Sequence, residues 1–168
     1  LLRNYIRAKD DNKPHLMKTV FADSAILEME VKTENISFPS QSNGLDNITE
    51  VLVRNFSQNY ENVYTFCFDD SFNYEKNAMS CNWLVGMSDR ESGNIRVGWG
   101  SYDWRFNNKS PLAEYFKITI EQMLIFDSQH SEEIMEWLGK TSYPFCDSVN
   151  MFELMPDIKQ LQKIPKYT

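Results

Sequence analysis

The chain has 168 residues, of which 42% are hydrophobic and 14% aromatic, and it carries a formal net charge of −7. That apolar content supports one buried core and excludes a disordered chain. The negative charge, without any cluster of Lys and Arg, argues against nucleic acid and against an anionic membrane surface as partners. No window approaches the roughly 20 apolar residues that span a bilayer, and "LLRNYIRAKDD" lacks the charged start and apolar centre of a signal peptide.

The opening residues read as two short amphipathic helices. "LLRNYIRAKDDNK" sets Leu2, Tyr5 and Ile6 on one stripe, and Pro14 opens a second turn in which Leu16, Met17, Val20 and Phe21 recur at helical spacing. "SAILEMEVK" then alternates with period two, and "NISFPSQ" reads as its hairpin partner. The alternation sends Leu27 and Met29 to one face and Glu28 and Glu30 to the other, a choice that a one-residue slip or a β-bulge would reverse. Gly44 breaks the chain before a third helix, "LDNITEVLVRNFSQNY", whose stripe holds Ile48, Leu52 and Phe56.

From residue 62 the pattern becomes that of strands: "VYTFCFDDSF", "AMSCNWLVGMS", "IRVGWGSYDWRF" and "EYFKITIEQMLIFD", with "DRESGN" as the turn between the second and third. Helices before a curved antiparallel sheet of about six strands make an α+β domain. Residues 128–168 return to a helical pattern, with Ile134, Trp137 and Leu138 on one stripe and Phe152, Leu154, Met155, Ile158 and Leu161 around Pro156.

Few chemical motifs are present. Cys67, Cys81 and Cys146 are odd in number and lack CxxC spacing, which favours reduced thiols and a cytoplasmic location over a disulfide framework or a metal site. His15 stands at a helix start and His130 in a polar turn, away from the strands. There is no GxSxG, P-loop, GxGxxG or HExxH, so no metal or nucleotide cofactor is expected.

The order helix, helix, hairpin, helix, then four long strands resembles the NTF2-like or SnoaL-like superfamily, the cystatin-like cone folds. The local likeness is to the ketosteroid isomerase branch. It rests on "YIRAKDDNKPHLMKTVFADSAILE" for the opening helices and first strand, "GLDNI" for the start of the third helix, and "NAMSCNWLVGM" with "GSYDWRF" for the middle strands. The resemblance covers residues 1–127 and leaves 128–168 as a helical extension packed on the same domain.

It implies a cone whose inner face holds a pocket, no cofactor, and a homodimer formed through the sheet. In the isomerases a first-helix Tyr donates to the oxyanion, a first-strand Asp is the base, and a protonated Asp on a later strand is a second donor. Tyr5 falls on the Tyr position, Met29 on the base position, and Tyr102, aligned through Arg105 and Phe106, on the second acid. A replacement base would have to come from Glu28, Glu30 or Asp103. Strand alternation and the helix stripe give Leu27, Met29, Leu52, Phe56, Trp83 and Trp104 as ligand-binding residues, with Tyr5 and Tyr102 as polar handles in a Met-rich, aromatic pocket. Three functions are compatible with these features: a cofactor-independent isomerase, cyclase or dehydratase acting on an apolar or polycyclic molecule, a non-catalytic binder of a small apolar molecule, and a dimeric interaction module.

Overall fold

Period-two patterning over residues 21–31 gives β1, Phe21–Val31, in which Ala25, Leu27 and Met29 are buried while Ile26 and Glu30 are exposed. A computed structural model describes residues 1–166. In chain order the elements are α1 (Leu2–Asp10), a 3₁₀ turn, β1, β2 (Gln41–Asn43), α2 (Leu45–Thr49), a π-helical turn (Glu50–Arg54), α3 (Asn55–Asn59), β3 (Tyr60–Phe68), β4 (Asn73–Glu75), β5 (Ala78–Asp89), β6 (Ile95–Asn107), β7 (Ser110–Phe126), α4 (Ser131–Lys140), β8 (Phe145–Cys146) and α5 (Ser148–Glu153).

The strands form one curved, unclosed sheet in the order β2-β1-β7-β6-β5-β3-β8, with β4 on β5. It has eight strands, against the six that the pattern suggests, because β2, β4 and β8 are too short to carry a periodic signal. Its centre is antiparallel, whereas β1 joins β7 and β8 joins β3 in parallel. Two further expectations are corrected. The hairpin partner of β1 is β2, which takes only Gln41 from "NISFPSQ", while Ile36 and Phe38 lie in the loop before it. The segment after residue 127 is not purely helical, since β8 adds a strand to the sheet edge.

Both faces of the sheet carry a core. On the inner face α1 and the α2–α3 helix pack over Leu27, Met29, Trp83, Tyr102, Trp104 and Phe116. On the outer face α4 and the segment after it cover Phe66, Phe68, Leu84, Val97 and Trp99 with Ile134, Trp137, Leu138, Met151 and Leu161. β7 serves both cores through a bulge between Ile120 and Gln122: Ile118, Ile120 and Met123 face inward, and Leu124 and Phe126 outward. The uncovered part of the outer face is polar, with Glu28, Lys117, Asp103 and Ser80 in register across β1, β7, β6 and β5.

Gly100 marks the tightest crossing of β6 and β7: a Cβ there would lie 1.8 Å from the Thr119 carbonyl oxygen and 2.9 Å from the Trp83 ring. Only glycine lets the strands close there while Trp83 lies against the inner face. No helix among the described residues is long and apolar enough to cross a membrane.

Candidate functional site

Tyr5 and Lys9 stand one helical turn apart on α1 and therefore share its buried face. Tyr5 is 1% exposed, and its ring meets Phe116, Trp104 and Tyr102 edge-on at centroid distances of 5.1, 5.5 and 5.8 Å. Trp104 stacks on Phe116 at 3.7 Å and on Phe21 at 5.7 Å, so these three rings fill the inner face on one side of Tyr5. On the other side a cavity opens. Its walls come from Tyr5 and Lys9 of α1, Met29 of β1, Ile36 and Phe38 of the loop, and Leu52 and Phe56 of the third helix. The sheet adds Trp83, Val85 and Met87 from β5, Tyr102 from β6, and Ile118, Ile120 and Met123 from β7. The π-helical turn carries Leu52 into this wall.

Six of the eight residues expected from sequence therefore meet at one cavity: Tyr5, Met29, Leu52, Phe56, Trp83 and Tyr102. Leu27 and Trp104 are also inward and buried but lie in the packed core away from its wall. Alternation gives the face of a strand residue, not its depth along the cone. Glu28 and Glu30 are on the outer face, where Glu28 accepts from the Tyr115 hydroxyl at 2.7 Å and Lys117 lies 3.8 and 3.5 Å from the two carboxylates. Asp103 is exposed on the same side, as part of the polar groove with Arg105 and Tyr115. None of the three lines the cavity.

The open space is about 40 Å³, room for roughly three water molecules. This is far below the roughly 300–1,000 Å³ usual for sites that enclose a drug-sized molecule. A polycyclic ligand does not fit the cavity at this size. Met29, Met87 and Met123 in the wall are the unbranched side chains best able to yield to something larger.

Each of its polar side chains can donate a hydrogen bond. Burial drives the Tyr5 hydroxyl well above the usual tyrosine range, only partly opposed by a hydrogen bond from Tyr102, and burial likewise raises Tyr102. Both stay protonated at neutral pH. Trp83 Nε1 is buried without a hydrogen-bond partner, a state it shares among the described residues with Trp104 Nε1.

Lys9, which sequence reading passed over, supplies the fourth donor. Its Nζ lies 2.8 Å from Asp10 Oδ1 and 2.6 Å from Thr65 Oγ1, and 4.9 Å from the centroid of the Phe56 ring. The Asp10 side chain is wholly enclosed. Besides Lys9 it accepts from Thr65 N at 2.7 Å, Thr65 Oγ1 at 2.9 Å and the Tyr143 hydroxyl at 2.7 Å. Four donors occupy this carboxylate, and it does not reach the cavity wall, so it is not placed as a base there. The available signal for Lys9 was its spacing of four from Tyr5 on an amphipathic helix; the adjoining "KDD" reads as a solvated helix end.

Cys67 and Cys81 are buried side by side on the inner face, and Cys67 is pushed well above the usual thiol range by its hydrogen bond with Cys81 and by burial. His15 is exposed, and His130 lies 3.8 Å from Glu133 in the extension. Among the described residues no group of three His, Cys, Asp or Glu is arranged to hold a metal.

No protein-family model matches the chain, and no curated protein resembles it in sequence. Solved structures do resemble its fold. An NTF2-like protein of unknown function from Burkholderia pseudomallei superposes with a TM-score of 0.57 at 13% identity, over 80% of this chain and 93% of that one. A protein of ketosteroid isomerase-like fold from Catenulispora acidiphila, solved with trimethylamine, gives 0.56 at 11% identity over 70% and 82%. An LEH-like epoxide hydrolase of M. tuberculosis gives 0.52 at 8% identity over 71% and 78%.

Proposed function

The chain has an NTF2-like cone fold, and on that scaffold we propose that it binds, without converting it, a small and largely apolar molecule bearing one neutral hydrogen-bond acceptor. One observation carries this reading: the cavity is lined by Tyr5, Tyr102, Trp83 and Lys9, residues that each carry a donor group, and by no carboxylate or imidazole. A wall rich in donors can hold a carbonyl, ether or epoxide oxygen, but proton abstraction needs a base within reach, and no carboxylate or imidazole lines the cavity. Neutrality follows from the charges. Asp10 already balances Lys9, so an anion brought into this apolar space would be an uncompensated buried charge. The cavity volume, with the yielding of its methionines, limits the ligand to a small molecule of about six heavy atoms or fewer, and the Catenulispora protein was solved with a molecule of that order, trimethylamine.

A second reading, a cofactor-independent enzyme, is supported by Tyr5 and Tyr102, whose protonated hydroxyls suit a developing oxyanion. It requires a base that the cavity wall lacks.

Titration with cyclopentanone, cyclopentane and acetate, followed through the methyl resonances of Met29, Met87 and Met123, tests the proposal. Saturable shifts with cyclopentanone, at least tenfold weaker response to the other two, and loss of binding in Tyr102→Phe are expected. Equal response to cyclopentane would show that the donors play no part. Turnover of a small ketone, with deuterium exchanged from solvent beside the carbonyl, would favour the enzyme.

A further inference from the structure

Tyr143 lies in the C-terminal extension, far in sequence from the cavity, yet its hydroxyl donates to Asp10 Oδ2 at 2.7 Å, while Asp10 Oδ1 receives Lys9 Nζ at 2.8 Å. Its place is fixed from several directions. The Cys67 amide donates to the Pro144 carbonyl at 2.8 Å, and Phe145 and Cys146 pair with Cys67 and Phe68 as β8 beside β3. The Tyr143 ring stands edge-on to Tyr64 and Phe66, each at 5.7 Å. Thr65, between those two rings in sequence, closes the network by accepting from Lys9 and donating to Asp10. α1, β3 and the extension therefore meet at a single enclosed carboxylate, and one of its donors is the ammonium of Lys9, a cavity-lining residue whose Nζ lies 4.9 Å from the ring centroid of Phe56 in the same wall.

We infer that the C-terminal extension positions the ligand-binding ammonium: Tyr143 orients Asp10, Asp10 and Thr65 orient Lys9, and Lys9 meets the ligand's acceptor atom. The inference rests on the cavity reading above, and it makes Tyr143 a positioning residue that never touches the ligand. Lys side chains have many rotamers, and a fixed carboxylate partner restricts the head to one of them. Burial and the nearby Asp10 carboxylate both raise the Tyr143 hydroxyl above the ordinary tyrosine range, so it is a donor at neutral pH. Loss of the Tyr143 bond leaves Asp10 with three donors and more freedom to rotate, and Lys9 moves with it. The core on the outer face, through which the extension is anchored, is thereby linked to the cavity on the inner face.

The test uses full-length protein labelled at lysine ¹³Cε and ¹⁵Nζ, comparing wild type, Tyr143→Phe and Tyr64→Phe. Tyr143→Phe keeps the ring against Tyr64 and Phe66 and removes only the hydroxyl. Tyr64→Phe is an equally conservative change in the same cluster that leaves all four donors to Asp10 in place. Tyr143→Phe should shift the Lys9 resonances, speed exchange of its Nζ protons and weaken cyclopentanone binding about fivefold, the effect of one hydrogen bond. Tyr64→Phe should change none of these. Unchanged Lys9 resonances in folded Tyr143→Phe would overturn the inference, as would shifted resonances with unaltered affinity. If wild type fails to bind cyclopentanone, the cavity reading falls, and the Lys9 resonances still decide whether Tyr143 positions the ammonium.

Discussion

Replacing Asp10 with Ala isolates the enclosed ion pair. The carboxylate has no exposed side-chain surface and Lys9 only 8%, so water cannot take over for the missing partner without opening the structure. Removing one member of a buried pair costs about 3–5 kcal/mol, because the other charge remains without compensation. The Thr65 amide and the Tyr143 hydroxyl lose an acceptor as well, and the better helix propensity of Ala returns only about 0.5 kcal/mol. A net loss of about 4 kcal/mol corresponds to a fall in Tm of roughly 8–16 °C for a domain of this size. Thermal and urea unfolding followed by circular dichroism measure it. A companion variant carries the decisive sign. In Lys9→Met with Asp10→Ala no charge is left uncompensated, so the double variant should be more stable than Asp10→Ala alone, with a coupling above about 1 kcal/mol in the double-mutant cycle. A loss below about 1 kcal/mol for Asp10→Ala, or strictly additive single effects, would refute the ion pair as described.

Gly100→Ala should largely abolish soluble folded protein, because its Cβ would meet the Thr119 carbonyl oxygen at 1.8 Å; soluble yield beside Gly139→Ala, where the nearest atom to an added Cβ is the Tyr64 hydroxyl oxygen at 3.8 Å, checks the steric cause. All three thiols should resist a thiol reagent at pH 8 in native protein and react in denaturant, since Cys67, Cys81 and Cys146 are buried and Cys146 is pushed up to about 12 by its burial and by Asp69, Asp70 and Asp147. Tyr115 is pushed up to about 12 by burial and then by its bond to Glu28. A raised tyrosine pKa favours the folded state while the hydroxyl stays protonated, so this contribution is complete below pH 10 and disappears as the pH rises through 12. Urea midpoints of wild type and Tyr115→Phe should therefore converge across that window, and a constant difference would contradict it.

Much of the inner face was legible because one-sided burial imposes strict alternation. "SAILEMEV" gives the facing of Leu27, Glu28, Met29 and Glu30 correctly, and the spacing in α1 and β6 leads to two tyrosines that do approach each other. Depth was not legible: Trp104 shares a face with Tyr102 but stacks into the closed part of the core. Nor were the groups whose role comes from distant partners. Asp10 looks like a helix end until β3 and the extension supply its donors, and Tyr143 is an ordinary loop residue until β8 pairs with β3. Ile36 and Phe38 alternate like a strand, yet they serve as cavity wall without pairing.

The bulge in β7 has a consequence for how this chain tolerates changes in length. Gly100 pairs with Ile120 and Trp99 with Gln122, so Glu121 is the residue that the ladder leaves out. Deleting Glu121 would preserve the facing of every residue on either side, and Met123 would still point inward and Leu124 and Phe126 outward. Deleting a residue in the regular stretch from Lys117 to Thr119 would force one side of the strand to exchange its two faces. Position 121 is thus where the strand can lose a residue, and its neighbours are where it cannot.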